Sequence, residues 1–340
     1  MFKNATIVSR GIHPKNYHKP TAERGAREFI VSSSSLRAVF AKSPKHWFDG
    51  WELPESASLE YGSLIDCILL TPDQFKSQYA FEPAEYKNEK GEVKPWSNNA
   101  KVCRAWNEDQ KTMGLEIISD KEYSNAKAAV SRLWGDEQIK MFLDACDKQV
   151  WIQATWEDKA TGLEIPVQCL IDLAGRPDTQ FRLRLGDLKT TKNAQPVAWS
   201  KWADFAGYDI QAAWNIDLYN AATGQGVTDF CFILSESFSP WEIGRRYMTQ
   251  DALEPGQDSG SIASGRRQYT KMMANYCKFI KNGFWPGYDD TDESSESGWT
   301  LVTPDPWSEQ RRMFAPQFTT GEDQEQEAGQ TFEEEGEVTP

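Results

Sequence analysis

Asp187 and Lys189 stand two residues apart in the segment Arg182-Leu-Arg-Leu-Gly-Asp187-Leu188-Lys189-Thr190-Thr191. Strict alternation predicts a strand over 181–190, with Phe181, Leu183 and Leu185 on one face. At period two, Asp187 and Lys189 continue that face. A face patterned for burial therefore runs into an acid and an amine. Burying either charge is costly unless the two pair or meet a metal. Such a pair fits the mouth of an active site; an exposed strand end with a surface ion pair fits the spacing as well. Upstream, Glu164-Ile-Pro-Val-Gln168-Cys-Leu-Ile-Asp172 reads as a second strand. Ile165, Val167, Cys169 and Ile171 form its apolar face, and Gln168, Leu170 and Asp172 the other. Thr161-Gly162 is a turn signal before it, and Gly175-Arg-Pro-Asp178 connects it to the next strand. Two successive strands that end near carboxylates can bring Asp172 and Asp187 together. Two carboxylates and a lysine are what metal-assisted phosphodiester hydrolysis needs. The acids hold divalent ions, which take oxygen ligands, activate water and stabilise the leaving oxygen. The lysine orients the nucleophile and offsets charge developing on the phosphate.

Asp172 followed by Asp187-Leu188-Lys189 resembles the signature of the PD-(D/E)xK nuclease superfamily. More narrowly, an ordered set of segments over roughly 30–288 resembles the nuclease domain of RecE, exodeoxyribonuclease VIII, and related phage enzymes. The set begins with Ser32-Ser-Ser-Ser-Leu36 and Ser43-Pro-Lys-His46-Trp47. It continues with Gly62-Ser-Leu-Ile-Asp66 and Pro72-Asp-Gln-Phe75, then Trp156-Glu-Asp-x-x-Thr161-Gly162, Asp172 and Asp187-Leu-Lys-Thr-Thr191. Tyr208-Asp-Ile-Gln211 and Phe284-Trp285-Pro286 complete it. The resemblance implies an α/β restriction-endonuclease-like core, a central mixed sheet flanked by helices. It implies a magnesium-dependent (or manganese-dependent) exodeoxyribonuclease that degrades linear double-stranded DNA from 5′ to 3′ and makes single strands for recombination. Asp66, Asp172 and Asp187, with the Leu188 carbonyl, would bind the metal. Lys189 would assist the attacking water, and Gln211 would position Lys189 or the phosphate. A ring-like homo-oligomer, often a tetramer, and a RecT-like single-strand annealing partner are further implications.

Two positions depart from the family. Its metal-binding histidine falls on Asp66, which can also ligate magnesium or manganese but adds negative charge. Its tyrosine after the glutamine falls on Asn215, with Trp214 beside it; Tyr219, one helical turn further, is an available stand-in. A catalytically weakened DNA-binding protein of the same fold, and an endonuclease of the same superfamily, are the alternatives.

The elements that must position these residues are legible in outline. Residues 1–29 read as polar and irregular, with His13 and His18 in a loop, residues 30–288 as the nuclease domain, and 289–340 as an acidic, disordered tail. Ser43-Pro44 and Thr71-Pro72 each read as an N-cap followed by proline at the first helical position. Gly62 and Asp66 share a helix face, where the small glycine allows close packing on the sheet. Residues 82–99 read as a loop. Ser119-Asp-Lys-Glu122 is a capping box that opens a helix to about Trp134. Strands are expected over 150–157, 163–173, 230–234 and 242–248. One helix over 200–222 carries Tyr208, Gln211, Asn215 and Tyr219 on one polar stripe, which fits a solvent face as well, though the nuclease motifs favour Gln211 facing the site; a last helix spans 266–282.

A chain of 340 residues, 39% hydrophobic, can bury a sizeable core. Some of the 14 Trp fill it. There is no signal peptide and no apolar run near the length of a membrane span, so a cytoplasmic location is expected. The six Cys, at 67, 103, 146, 169, 231 and 277, include no Cys-x-x-Cys, which argues against a zinc site and for reduced, mostly buried thiols. With three His in the chain, a histidine-based metal site is not expected. A formal charge of −14 argues against nucleic acid at first. However, Gly321–Pro340 holds eight acids and no base, so the rest carries about −6. Cations cluster locally, at Arg182, Arg184, Lys189 and Lys192, at Arg245-Arg246, at Arg266-Arg267 with Lys271, and at Lys278 and Lys281. Phosphate contacts need a local groove rather than a basic average.

Overall fold

The computed structural model describes residues 1–12, 17, 22–52, 57–250, 260–288 and 290. Met1–Gly287 forms one compact unit, with Tyr288–Pro340 counted apart. His13, His18 and the acidic tail lie outside the described residues. Ten strands are β1 Phe2–Ser9, β2 Tyr79–Phe81, β3 Glu85–Lys87, β4 Val93–Pro95, β5 Glu116–Ile118, β6 Cys146–Asp158, β7 Leu163–Gly175, β8 Arg184–Thr191, β9 Asp229–Glu236 and β10 Ile243–Met248. Ten α-helices are α1 Ser33–Ala41, α2 Pro44–Phe48, α3 Ala57–Leu70, α4 Phe75–Gln78, α5 Lys101–Thr112, α6 Asp120–Gly135, α7 Glu137–Asp144, α8 Pro196–Phe205, α9 Tyr208–Thr223 and α10 Ser261–Asn282. These counts are for the described residues.

The fold is α/β, with a mixed sheet of order β1-β6-β7-β8-β9-β10 and helices on both faces. β6 and β7 form a long antiparallel ladder, Cys146 opposite Gly175 and Asp158 opposite Leu163. β8 and β9 are parallel, Asp187 beside Phe232 and Lys189 beside Leu234. A parallel pair needs a crossover, and α8 and α9 provide it. One core fills the sheet face under α9 and α10, with Ile165, Val167, Ile171, Leu185, Phe230, Phe232, Trp214 and Tyr276. A second fills the opposite face under α3, α6 and α7, with Leu64, Ile65, Leu133, Phe142, Leu173, Leu188 and Ile233. Leu185 and Leu188 thus belong to different faces of β8, as alternation requires.

Several caps are those the sequence announces. Ser119 and Glu122 close a capping box at α6, and Pro44 opens α2 behind a Ser43 cap. Thr71 precedes a 3-10 turn without a side-chain cap. Six free cysteines are present, five of them buried and Cys231 partly so. Among the described residues, no helix is long and apolar enough to cross a membrane.

Five expectations are corrected. The N-terminal segment is not irregular throughout, because β1 pairs antiparallel with β6 at the sheet edge. Its alternation is hidden by a register shift between Lys3 and Thr6, where Asn4 takes φ 51°. The expected strand 181–190 begins only at Arg184; Leu183 is exposed rather than part of a buried face. The expected helix 200–222 is two helices, broken at Gly207, whose φ of 66° lies in the left-handed region that glycine tolerates best. Residues 82–99 contain a short hairpin, β3 with β4. The last helix also starts earlier, at Ser261.

Candidate active site

β7 and β8 stay paired only at Leu173–Gly186 and Ala174–Leu185. Beyond that point the strands part, and the Asp172 side chain takes over the ladder's role. Leu188 N–H donates to Asp172 Oδ2 at 2.9 Å. Asp172 Oδ1 accepts from Gln149 Nε2 at 3.2 Å. Gln149 sits on β6 between the pairs Lys148–Leu173 and Val150–Ile171, with φ 49°, and is 1% exposed. A buried glutamine in the left-handed region costs backbone energy. Here the distortion aims its amide at a carboxylate in the fork.

Asp187 and Lys189 lie on the β8 face toward α9. Gln211 Nε2 donates to Asp187 Oδ1 at 2.8 Å, and Lys189 forms an ion pair with Asp187 Oδ2. The Lys189 ammonium also lies 5.0 Å from the centre of the Tyr208 ring. Burial opposes its charge, but Asp187, Tyr208 and Asp172 outweigh burial and hold the lysine above its ordinary pKa. Tyr208 opens α9 immediately after Gly207. Arg37 of α1 donates to the Ala206 carbonyl, and its guanidinium lies 5.9 Å from the centre of the Tyr208 ring, a second cation at that ring.

Asp66 reaches the site from the opposite face. α3 packs on β8 through Gly62, where a Cβ would lie 3.0 Å from Thr190 Oγ1. One turn on, Asp66 feels both Asp187 and Lys189. Burial pushes its carboxyl up to about 7, with Asp187 adding to the rise and Lys189 opposing it. Asp172 is likewise raised well above the usual carboxylate range, by burial first and then by Asp187 and Asp66.

Asp66 and Asp172 are therefore both raised by burial and by the charge of Asp187, and a cation among the three carboxylates would offset their repulsion. An all-oxygen donor set of this charge fits a hard divalent ion. Gln149 Oε1 and Gln211 Oε1 are buried beside it without hydrogen-bond partners. Among the described residues, no three His, Cys, Asp or Glu side chains already close around one point. The carboxylates are held instead by Gln149, Leu188 N–H, Gln211 and Lys189. The donors fit a divalent cation in chemistry and charge, and it is the Asp172 and Asp187 oxygens that have internal partners.

Asp172, Asp187, Leu188, Lys189 and Gln211 are thus brought together, with Asp66 in electrostatic reach. Tyr219 is not: its hydroxyl meets Gln225 Oε1 at 3.4 Å, at the far end of α9. Helical spacing put it on the right stripe but two turns away along the axis. Asn215, 2% exposed, is on that stripe with its Nδ2 unpartnered. The stripe faces inward, toward the sheet. Gln149 and Arg37 were missed, and neither carries a motif.

These charges give an expected result. A carboxyl whose folded pKa is raised destabilises the fold as pH climbs past its unfolded value. Asp66→Asn removes one such group. In metal-free buffer at pH 8 the variant should melt higher than the wild type, by a few degrees at about 2–4 °C per kcal/mol. Calorimetry on the same samples should show weaker manganese binding. A lower melting point with unchanged manganese affinity would take Asp66 out of the site.

No protein-family model matches the chain, and no curated protein matches it significantly. Among solved structures, a candidate exonuclease from Eubacterium rectale aligns at 17% identity and a TM-score of 0.49, over 90% of this chain and 99% of that one. Scheffersomyces stipitis Rai1, in complex with (3′-NADP)+ and calcium ion, aligns at 10% identity and 0.25, over 68% and 61%. Candida albicans Rai1, in complex with pU5-Mn2+, aligns at 11% identity and 0.25, over 75% and 69%. Similarity at these levels leaves the function to be argued from the site's own residues.

Proposed function

We propose that this chain is a metal-dependent phosphodiester hydrolase, a DNA exonuclease acting on the ends of linear double-stranded DNA. One observation carries the reading. Two buried acids on neighbouring strands, Asp172 and Asp187, flank the Leu188 backbone where the strands part, and Lys189 follows on the Asp187 face. Asp66, Asp172 and Asp187, with the Leu188 carbonyl, would hold magnesium or manganese. That ion supplies Lewis acidity and a lowered pKa for water. Lys189 keeps its proton at neutral pH and, as a charged N–H donor, would stabilise the negative charge that develops on the attacked phosphate. Gln211 fixes the Asp187 carboxylate through Oδ1. Gln149 does the same for Asp172 from β6. Tyr208 shields Lys189 on one side and holds the ammonium in place.

The finer reading follows the RecE resemblance of the motifs: 5′-to-3′ digestion, release of single strands to a RecT-like annealing protein, and a ring-like homo-oligomer. The test is purified protein with magnesium or manganese, given 5′-labelled linear duplex, 3′-labelled linear duplex and covalently closed circular DNA. The reading expects loss of the linear species, early release of the 5′ label, and intact circles. Cut circles would make it an endonuclease, and inert DNA under every metal would make it a binding protein of this fold.

A further inference from the structure

α8 exposes an aromatic pair that the core does not need. Phe205 is 82% exposed and Trp202 51%, with ring centroids 5.6 Å apart. Burial would normally claim such side chains, and a monomer rarely shows adjacent large apolar groups without use for them. The helix is anchored without them. Trp199 and Ala203 face the core, and Trp199 packs 5.4 Å from Tyr208 and 6.0 Å from Phe232. One flank of α8 carries Ser200 and Asp204, which line a cavity of about 540 Å³ with Arg246 of β10. At 100° per residue, Trp202 and Phe205 fall on the other flank. In the sheet order β8 lies on the side of Phe232 away from β10, and so do Asp187 and Lys189.

The pair is also tied to the site by the chain itself. Phe205 and Tyr208 are three positions apart, so their Cα atoms are at most about 11 Å apart. Gly207 turns the chain between them, and Tyr208 touches the Lys189 ammonium. Exposed Lys192, ahead of α8, and exposed Lys201, next to Trp202 on it, add positive charge. A polar phosphate site with two exposed rings and cations beside it matches a single nucleic-acid strand. Its backbone is anionic and each of its unpaired bases presents a π face.

We infer that Trp202 and Phe205 form a stacking platform for unpaired bases of a nucleic-acid strand whose backbone enters the Asp187–Lys189 site. This rests on the phosphodiesterase reading, and it adds that the strand is held unpaired next to that site. A duplex offers no free base faces there, so the platform discriminates strand state rather than sequence.

The experiment measures binding without metal, in EDTA, by anisotropy of a fluorescein-labelled oligothymidylate, using the full chain. Trp202→Ala and Phe205→Ala should each weaken binding about tenfold, within the range of one lost base stack. Trp202→Phe and Phe205→Tyr should retain most of the affinity, because a ring remains. Binding of a blunt hairpin duplex should be unchanged in all four. Wild-type affinity for oligothymidylate in the double alanine variant would overturn the platform. So would equal losses on oligothymidylate and hairpin, or a change of oligomeric state in the double variant by light scattering, which would mean that a second copy covers the rings. The two readings fail separately. Cleavage by the wild type with no effect of the alanines on binding ends the platform alone. Ring-dependent binding by a wild type that cleaves nothing with either metal ends the phosphodiesterase reading and leaves the platform standing.

Discussion

Lys189→Ala should lose DNA cleavage by about 10²–10⁴-fold while still binding manganese, because the residue acts on the substrate and not on the ion. Lys189 is the ammonium aimed into the fork, paired with Asp187 and packed against Tyr208. Removing it frees Asp187 Oδ2, so metal affinity should hold or rise. Lys189→Arg should not restore the rate, since a planar guanidinium cannot reproduce a compact ammonium beside an aromatic ring. Single-turnover rates at saturating metal and DNA read the chemical step, and calorimetry reads the metal. Wild-type rates in Lys189→Ala would remove the lysine from catalysis. Loss of manganese binding along with the rate would make it a structural support for the carboxylates instead.

The second large effect is on stability. Gly265 of α10 lies against the α9 backbone, where a Cβ would fall 2.1 Å from the Asp209 carbonyl oxygen. No rotamer relieves a clash made by Cβ itself. The neighbour is main chain, so the two helices must separate. Gly265→Leu should therefore cost about 3 kcal/mol or more, at the upper end of overpacking. For a domain of this size that is roughly 6–12 °C in melting temperature. α9 carries Gln211, so cleavage should fall in the variant even below its melting point. Scanning calorimetry that finds an unchanged transition would show that the α9–α10 crossing is looser than described.

Both predictions depend on elements that differ in how far they can be read from sequence. Asp172, Asp187 and Lys189 were legible because two alternating strands carry charge into a buried position, and burial confirms the pattern at Asp187, 4% exposed. Gln211 was legible as a member of a helical stripe. The Ser119–Glu122 box was legible because capping is local chemistry. Gln149 was not: a left-handed glutamine inside a strand follows from the register of two strands, which no local residue pattern states. Gly207 was missed because a lone glycine is tolerated within a helical pattern, and its left-handed φ, with Arg37 and Ile210 packed against it, is not stated by any local pattern. β1 was missed because a bulge at Asn4 destroys its alternation. Tyr219 was misplaced because spacing gives the face of a helix but not the distance along it. Asp66 lies between these cases. Its helix was clear, and its approach to Asp187 depends on Gly62 meeting Thr190, a contact remote in sequence.

The central claim is that Asp187 and its neighbours bind a divalent ion and hydrolyse DNA with it. The most direct test titrates manganese into wild type and Asp187→Asn and follows bound metal and cleavage of labelled linear duplex in the same samples. The account predicts that binding and cleavage saturate together in the wild type and that both are lost in the variant, with its far-ultraviolet circular dichroism unchanged. Cleavage that persists in Asp187→Asn, or manganese binding that the substitution does not weaken, would contradict it.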